Sequence, residues 1–544
     1  MVSNTNKTNR TKTMSRRPSN SNHTFSEVPA VQIPRSSFNR SHSYKTTFDS
    51  GYLYPIMVDE ALPGDTFKCN LTAFARMATP IYPVMDNLFM DVFYFSCPNR
   101  LLWDNWEKFC GEQIDPGDSI DYTVPTLKAA GSGNLIPEGH LFDYMGLPTN
   151  VNQVIGDASS LPARMYNRVY NEWFRDQNLQ DSVPELTGDG PDYATSPEVF
   201  TNYTLLKRGK RHDYFTSALP WPQKGDSVDL PLGTTAPLFA DGTTPTFDVN
   251  NQINTVLRVD PLSDQVSIPT AVGGSGSFQL EWNNSGLAAD LSAATAATIN
   301  QLRQAFQVQK LLERDARGGT RYVEIVKSHF GVTTPSAGWR SEYLGGGTKM
   351  VNISPIAQTS STDTTSPQGN LSAMGTATLD QIGFTKSFTE HCTILCLINV
   401  RADLTYQQGL NRMWSRKTRY DFYWPALANI GEQSVLNKEI YWTGTGTDDQ
   451  TFGYQERYAE YRYKPSLVTG QFRSNAATTL DAWHLSQDFA SLPALNASFI
   501  EENPPVDRVI AVPSEPEFLF DGYFSMNCVR PMPLYGVPGM VDHF

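Results

Sequence analysis

The stretch LFMDVFYFSC, residues 88–97, is apolar on both faces apart from Asp91 and Ser96. Such a short apolar run without helical spacing is typical of a β-strand that is covered on both sides. Earlier in the chain, apolar and polar side chains alternate from Phe67 to Met77, which indicates a strand with one buried face. The two stretches together predict a β-rich core.

Two further strands are predicted much later in the chain. Apolar side chains alternate with mostly polar ones from Phe388 to Val400, and again from Phe518 to Cys528 close to the C-terminus. The predicted strands therefore come from opposite ends of the sequence, and the core must bring together residues that are several hundred positions apart.

Helical spacing of apolar residues predicts three helices, all of them between predicted strands. The first is short and lies around 102–110, the second lies around 165–174, and the third runs from about 288 to 317. The third helix is expected to end at Gly318 and Gly319. Strands joined by long helix-containing connections favour an all-β dominated, antiparallel double-sheet fold of the jelly-roll kind over parallel βαβ winding.

The net charge of −13 conceals an asymmetry between the N-terminal segment and the rest of the chain. Residues 1–50 hold eight Lys or Arg against two acids, a net charge of +6, which leaves −19 for residues 51–544. The first 45 residues contain few aliphatic side chains, so they cannot offset the entropy of ordering themselves. We interpret residues 1–50 as a basic, flexible arm for an anionic partner, and a merely solvated tail is the alternative.

Residues 225–290 differ in composition from the sequence around them. They are rich in Thr, Gly, Asn and Pro, and they hold eight acids against one base, Arg258, a net charge of −7. Structureless connections of this length are uncommon in compact domains, so the segment is predicted to be an insertion with a small fold of its own, mostly β. The remaining sequence divides into residues 51–224 before the insertion and 291–544 after it.

Six cysteines in 544 residues are too few and too scattered for a disulfide framework, so reduced thiols are expected. The first twenty residues contain no apolar signal-peptide segment, and no apolar run approaches the length of about 20 residues that crosses a bilayer. The protein is therefore expected to be made and used in cytoplasm.

The sequence contains no recognisable catalytic or metal-binding motif. Cys392 and Cys396 are the one close cysteine pair, but His391 points to the opposite face of the strand, so a place in the core is the preferred interpretation. Glu501 and Glu502 would serve a glycosidase only if their separation in the fold suited that chemistry. No enzymatic activity, cofactor or metal is expected.

Basic residues form three clusters that suit contact with nucleic acid. Cations neutralise phosphates, and aromatic side chains interleaved with them provide stacking surfaces for the bases of a single strand. An ordinary solvated face or a subunit contact is the alternative for each cluster. The candidate DNA-binding residues are Arg10, Lys12, Arg16 and Arg17 in the arm, Lys207, Arg208, Lys210 and Arg211 further on, and finally Arg412, Trp414, Arg416, Lys417 and Arg419.

Long ordered strings in this sequence resemble the major capsid proteins of gokushoviruses, within the Microviridae. The resemblance extends over nearly the whole chain and is much more specific than a short motif. The strings are RSSFNRSHSYKTTFDSGYLYPI (35–56), DEALPGDTF (59–67), ARMATPIYPVMDNL (75–88), NWEKFCGEQIDPGDS (105–119), LLKRGKRHDYFTSALPWPQKG (205–225), YVEIVKSHFGV (322–332), YLGGG (343–347), QTSST (358–362) and YWPALANIGEQ (423–433).

The resemblance implies an eight-stranded antiparallel jelly roll, of which sixty copies form a T=1 icosahedral shell around circular single-stranded DNA. It implies that residues 225–290 form a protrusion near the threefold axes that serves host attachment. The residues assigned to that role are Asp241, Asp248, Arg258, Asp260 and Trp282. The partners it implies are further copies of the chain with pentameric intermediates, an internal scaffolding protein, a DNA pilot protein, a small basic DNA-binding protein and a host surface receptor. The protein is expected in the virion, after assembly in the host bacterial cytoplasm.

The charge of the arms limits their part in packaging. Sixty arms at +6 carry about 360 positive charges, whereas a genome of several kilobases carries thousands of phosphates. Other cations are therefore expected to neutralise most of the DNA. The alternatives to a shell subunit are a β-sandwich protein that binds or hydrolyses glycans, and a free nucleic-acid-binding protein.

Overall fold

A computed structural model describes residues 33–127, 135–151, 158–192, 202–228, 238–243, 246–249, 252–255, 258–260, 265–267, 280–284, 287–289, 299–333, 338–359, 364 and 368–536. The strands are β1 (Ser36–Asn39), β2 (His42–Phe48), β3 (Tyr54–Ala61), β4 (Thr66–Met77), β5 (Leu88–Pro98), β6 (Leu238–Ala240), β7 (Thr246–Val249), β8 (Gln252–Thr255), β9 (Arg258–Asp260), β10 (Gln265–Ser267), β11 (Leu280–Asn284), β12 (Leu287–Ala289), β13 (Glu342–Met350), β14 (Asn352–Ala357), β15 (Leu371–Ser387), β16 (Cys392–Ala402), β17 (Thr405–Tyr406), β18 (Glu432–Leu436), β19 (Thr451–Glu456), β20 (Ser466–Leu467) and β21 (Phe518–Arg530).

The α-helices are α1 (Trp106–Phe109), α2 (Leu141–Tyr144), α3 (Leu161–Val169), α4 (Ile299–Arg317), α5 (Tyr322–Phe330), α6 (Asn437–Ile440) and α7 (Ala497–Ile500). A π-helical turn, Tyr170–Phe174, continues α3, and short 3-10 turns occur in the connections. Within the described part of the chain, no helix has the length and apolar character needed to span a membrane.

The first large sheet has β4 near its centre, with β21 on one side and β15 followed by β14 on the other. Both β1 and β2 pair with β21, so that His42 lies opposite Phe524 and Ser36 lies opposite Arg530. All these pairs are antiparallel. The N-terminal and C-terminal strands of the described chain are therefore neighbours in one sheet.

The second large sheet has the order β3, β16, β5, β13, and its strands are also antiparallel. The inward side chains of both sheets share one hydrophobic core, for example Leu71 and Phe524 from the first sheet and Val92 and Ile394 from the second. The fold is a strand-rich antiparallel sandwich.

A second hydrophobic core covers the outer face of the second sheet. Phe95 and Leu395 point away from the first sheet and pack with Trp103, Met165 and Tyr166, which come from α3 and the segment before α1. This second layer explains why residues 88–97 lack a polar face. The prediction of a strand covered on both sides is confirmed.

The other predicted strands are also found, with one shifted boundary. In β4, every second side chain from Phe67 to Met77 is buried, and β21 shows the same alternation. The third predicted strand begins at Cys392 as β16, not at Phe388. Phe388 follows the end of β15 and is buried in the core, so its apolar character marks a buried turn.

Two helix predictions need correction. The predicted helix around 102–110 is reduced to the single turn of α1, because Trp103 enters the second core from a non-helical segment. The third helix begins at Ile299, since Ala288 lies in β12 and pairs with β6. The apolar stripe of that helix is not buried within one chain, because Phe306 is 65% exposed.

The strands between residues 238 and 289 pair with one another. β9 pairs with β10, β7 pairs with both β8 and β11, and β6 pairs with β12. Among the described residues, none of these strands joins either large sheet. A third hydrophobic cluster joins Phe215, from the segment before β6, to the long connection from β16 to β21, which contributes Tyr406 and Phe452.

Candidate nucleic-acid interface

The four basic residues predicted in the arm, Arg10, Lys12, Arg16 and Arg17, lie outside the described residues. The description of the site therefore concerns the two internal clusters and the cations that the fold brings near them.

In the cluster at 207–211, two side chains are held by the protein itself. Lys207 donates from Nζ to Oδ1 of Asn503 at 2.7 Å and lies over the ring of Tyr52. Arg208 forms an ion pair with Asp91, whose side chain is only 3% exposed. These contacts hold the segment against β5 and against the segments that contain Tyr52 and Asn503.

The other two cations of this cluster differ in exposure. Lys210 is buried and donates from Nζ to the carbonyl of Phe499 at 2.7 Å, and burial lowers the pKa of its ammonium. Arg211 is 67% exposed, and its nearest carboxylate, Asp403, is 3.9 Å away. Of the four residues, Arg211 has the cation most available to a ligand.

Asp91, the polar interruption in β5, anchors two arginines. It accepts hydrogen bonds from Thr348 at 2.6 Å and from Nε of Arg401 at 2.8 Å, in addition to its contact with Arg208. Burial alone would raise the pKa of Asp91, but these donors and charges lower it overall. One carboxylate thus compensates two guanidinium groups.

A cleft of about 1280 Å³ lies over the outer face of the second sheet. We call it the basic cleft. Its aromatic wall consists of Phe93, Phe95 and Tyr343 from the sheet, with Trp173 and Phe174 from the π-helical turn. Trp173 and Tyr343 are the most exposed of these rings. The wall offers flat apolar surfaces to a ligand in the cleft.

Eight Lys and Arg residues line the basic cleft, whereas two carboxylates, Asp176 and Glu324, do so. Four of the cations, Arg208, Lys210, Arg211 and Arg401, come from the sheet side. The other four, Arg175, Arg317, Arg321 and Lys327, come from the π-helical turn and the junction of α4 with α5. The lining residues alone carry a charge of +6, and carboxylates behind the lining, such as Asp91 and Glu432, pair with some of these cations.

The cluster at 412–419 is divided by the fold. Arg412 pairs with the buried Glu439 at 2.9 Å, and Arg416 pairs with Glu460 at 3.2 Å while stacking over Tyr461. These two guanidinium groups are committed to internal ion pairs. Their partners follow by 27 and 44 residues, so the sequence pattern gave no indication of the pairing.

The remaining members of this cluster are exposed. Lys417 has an exposed side chain, Arg419 lies over the ring of Trp424 at 4.6 Å, and Trp414 is 71% exposed. Arg412 and Trp414 also line a smaller cavity of about 330 Å³. The surface here is more aromatic than cationic.

The residues assigned to host attachment lie among the small strands. Asp241 is exposed after β6 and accepts hydrogen bonds from the hydroxyl and backbone N–H of Thr243, which lower the pKa of its carboxyl. The structure places Asp248 in β7, Arg258 and Asp260 at the two ends of β9, and Trp282 in β11.

The cysteine pair lies in the core. Cys392 and Cys396 are buried in β16 with free thiols, and burial raises the pKa of Cys392 to about 12. No group of three His, Cys, Asp or Glu side chains in the described segments is arranged to hold a metal ion.

Comparisons with known proteins agree over nearly the full length. The family described as Capsid protein (F protein) matches residues 26–540. Capsid protein VP1 of Bdellovibrio phage phiMH2K is 48% identical over 535 residues, which covers 96% of this chain and 98% of that protein. Capsid protein VP1 of Chlamydia phage 1 is 43% identical, covering 96% and 98%. Capsid protein VP1 of Spiroplasma virus 4 is 37% identical, covering 95% and 97%.

Proposed function

The chain belongs to the capsid protein (F protein) family as a major capsid protein of the Microviridae, and on that premise we propose that sixty copies form a T=1 icosahedral shell around circular single-stranded DNA. The observation that carries the proposal is the extent of the match, from residue 26 to residue 540, with three relatives covered almost end to end. The function is association, in which no bond is made or broken.

The strand order supports a jelly roll of eight strands. The strands β2, β21, β4 and β15 lie side by side in one sheet, and β3, β16, β5 and β13 do so in the other. Consecutive strands of these eight alternate between the two sheets, except that β5 and β13 pair with each other in the second sheet, as in two Greek keys. We assign β2 together with residues 51–224 to the first part of this jelly roll and residues 291–544 to the second, with β14 as an addition at one edge. The jelly roll therefore begins before residue 51, within the segment that the sequence suggested as a flexible arm.

Self-association is supported by apolar surface that a single chain leaves uncovered. In α4, Ile299 and Phe306 are 70% and 65% exposed, and in the connection after β16, Trp414 is 71% exposed. Large exposed apolar groups mark interaction sites in soluble proteins. Stable shell contacts would bury more than about 1,000 Å² each.

The charges of the terminal and the inserted segment suggest which of them faces the inside of the shell and which faces the outside. Because β1 and β2 belong to the first sheet, we propose that only the part of the arm before β1 lies inside against the DNA. We propose that the acidic insertion at residues 225–290 lies outside as a threefold protrusion for host attachment. The proposed accessory partners are an internal scaffolding protein, a DNA pilot protein and a small basic protein. Assembly is proposed to take place in the host cytoplasm.

Electron microscopy of the full chain, expressed with its scaffolding partners and viral DNA, tests the proposal. Closed particles of uniform size that protect circular single-stranded DNA from nuclease are the expected result. Persistent monomers under all assembly conditions would contradict the shell, whereas closed particles without protected DNA would contradict enclosure alone.

Deletion of residues 225–290 is expected to spare assembly and to impair adsorption to host cells. The described strands of this segment pair only with one another, so their removal leaves the two large sheets intact. Particle yield by sedimentation and the rate of adsorption are the two measurements. Full adsorption by deleted particles would remove the proposed attachment role.

A further inference from the structure

We propose that the basic cleft over the second sheet binds a short segment of single-stranded DNA, with phosphates on its cations and bases on its aromatic wall. The inference rests on the proposed function only because the DNA enclosed by the shell is the source of the ligand. The residues that would contact DNA in the basic cleft come from widely separated parts of the chain.

The size of the basic cleft favours an extended ligand. Its volume of about 1280 Å³ exceeds the roughly 300–1,000 Å³ typical of small-molecule pockets. A chain of nucleotides would fill such a cleft, whereas one metabolite would leave most of it to water.

The protein compensates the cations of the basic cleft unevenly. Arg317 pairs with Glu432, and Arg321 pairs with Glu324. Arg208 and Arg401 share the single carboxylate of Asp91. Arg175 and Lys327 have no carboxylate within salt-bridge distance among the residues that the structure describes. An anion in the cleft would supply the missing charge.

Hydrogen-bond donors in the cleft lining also lack acceptors. Three guanidinium nitrogens are buried without a hydrogen-bond partner in the described structure: Nε of Arg175, Nε of Arg321 and Nη1 of Arg401. Burial lowers the pKa of Arg175, and the neighbouring charge of Arg321 lowers it further. Unsatisfied donors are costly, and small side-chain movements would direct them to phosphate oxygens.

The aromatic wall distinguishes a single-stranded nucleic acid from an acidic peptide. Tyr343 is 43% exposed beside the cations, and Trp173 is 37% exposed with Arg340 stacked on its ring at 3.9 Å. Alternating phosphates and flat bases match a surface of cations and rings, whereas an acidic peptide would use only the cations.

Binding of a fluorescent oligothymidylate to the unassembled full chain tests the proposal. The charge variant is R211E/K327E, because both side chains are exposed and lie outside the packed cores. We expect its affinity to fall at least tenfold and the slope of log K against log salt to decrease by about 1.4, since each lost single-strand phosphate contact removes about 0.7. Y343A is expected to lose affinity on the order of tenfold with little change in that slope.

The matched control is K464E, an exposed lysine outside the cleft lining. Equal losses in K464E and in R211E/K327E would indicate general surface attraction and would overturn the proposal. Unchanged DNA binding in R211E/K327E and Y343A would do the same, and a selective loss of polyglutamate binding would then identify an acidic protein partner. Particle formation by wild type, followed by microscopy, reports on the shell separately.

Discussion

Arg164→Met is expected to lower the free energy of unfolding by about 3–5 kcal/mol, because it leaves the carboxylate of Asp192 buried without its counter-charge. Both side chains are only 2% exposed, and the guanidinium donates to both carboxylate oxygens, at 2.5 and 2.8 Å. The same guanidinium donates to the carbonyls of Leu102 and Gly188. The pair therefore joins α3 to two loops of the second core.

Denaturant unfolding of the unassembled protein measures this loss. R164M/D192N is expected to recover more than half of it, since the uncompensated charge is then gone. Lys45→Met is the control, because its ion pair with Asp521 is exposed on both sides and contributes at most about 1 kcal/mol. Equal stability of R164M and K45M would contradict the role given to the buried pair.

Unfolding stability is expected to fall as pH rises from about 4.5 to 7, because two buried glutamates must then ionise. Burial raises the pKa of Glu502 to about 7 despite the nearby charges of Lys210 and Arg208, and it raises the pKa of Glu517 to about 7 despite a hydrogen bond from Ser50. The folded protein binds protons more tightly than the unfolded chain across this window. Each carboxyl would cost up to about 3 kcal/mol above pH 7.

E502Q/E517Q is expected to remove most of this pH dependence, because neither glutamine ionises. Free energies of unfolding at pH 5 and pH 8 provide the comparison, with the exposed Glu515→Gln as the matched control. A difference between the two pH values that is as large in E502Q/E517Q as in wild type would show that other groups are responsible.

The strands were predictable from the sequence because their burial repeats every second residue. In β4 and β21 the inward and outward faces are chemically distinct, so the pattern alone located both strands. The helix boundaries were less predictable, since Trp103 and Ala288 have apolar neighbours at helical spacing but lie in a loop and in a strand. There, tertiary packing and strand pairing outweigh local periodicity.

The candidate site was only partly predictable. The run at 207–211 pointed to one wall of the basic cleft, but Arg175, Arg321 and Arg401 are single basic residues in unremarkable contexts. Their proximity arises from contacts between segments that are distant in sequence, such as the hydrogen bond from Arg321 to the carbonyl of Arg175. Conversely, Arg412 and Arg416 form a visible cluster, yet their side chains serve internal ion pairs.

The particle mass of the assembled protein tests the central claim most directly. Sixty chains of 60.6 kDa give a protein shell of about 3.6 MDa, to which enclosed DNA adds. The mass of nuclease-treated particles, less the mass of the DNA extracted from them, is expected to give this protein mass as a single species. A stable end state of monomers or small oligomers, or closed particles with a copy number other than sixty, would contradict the proposed shell.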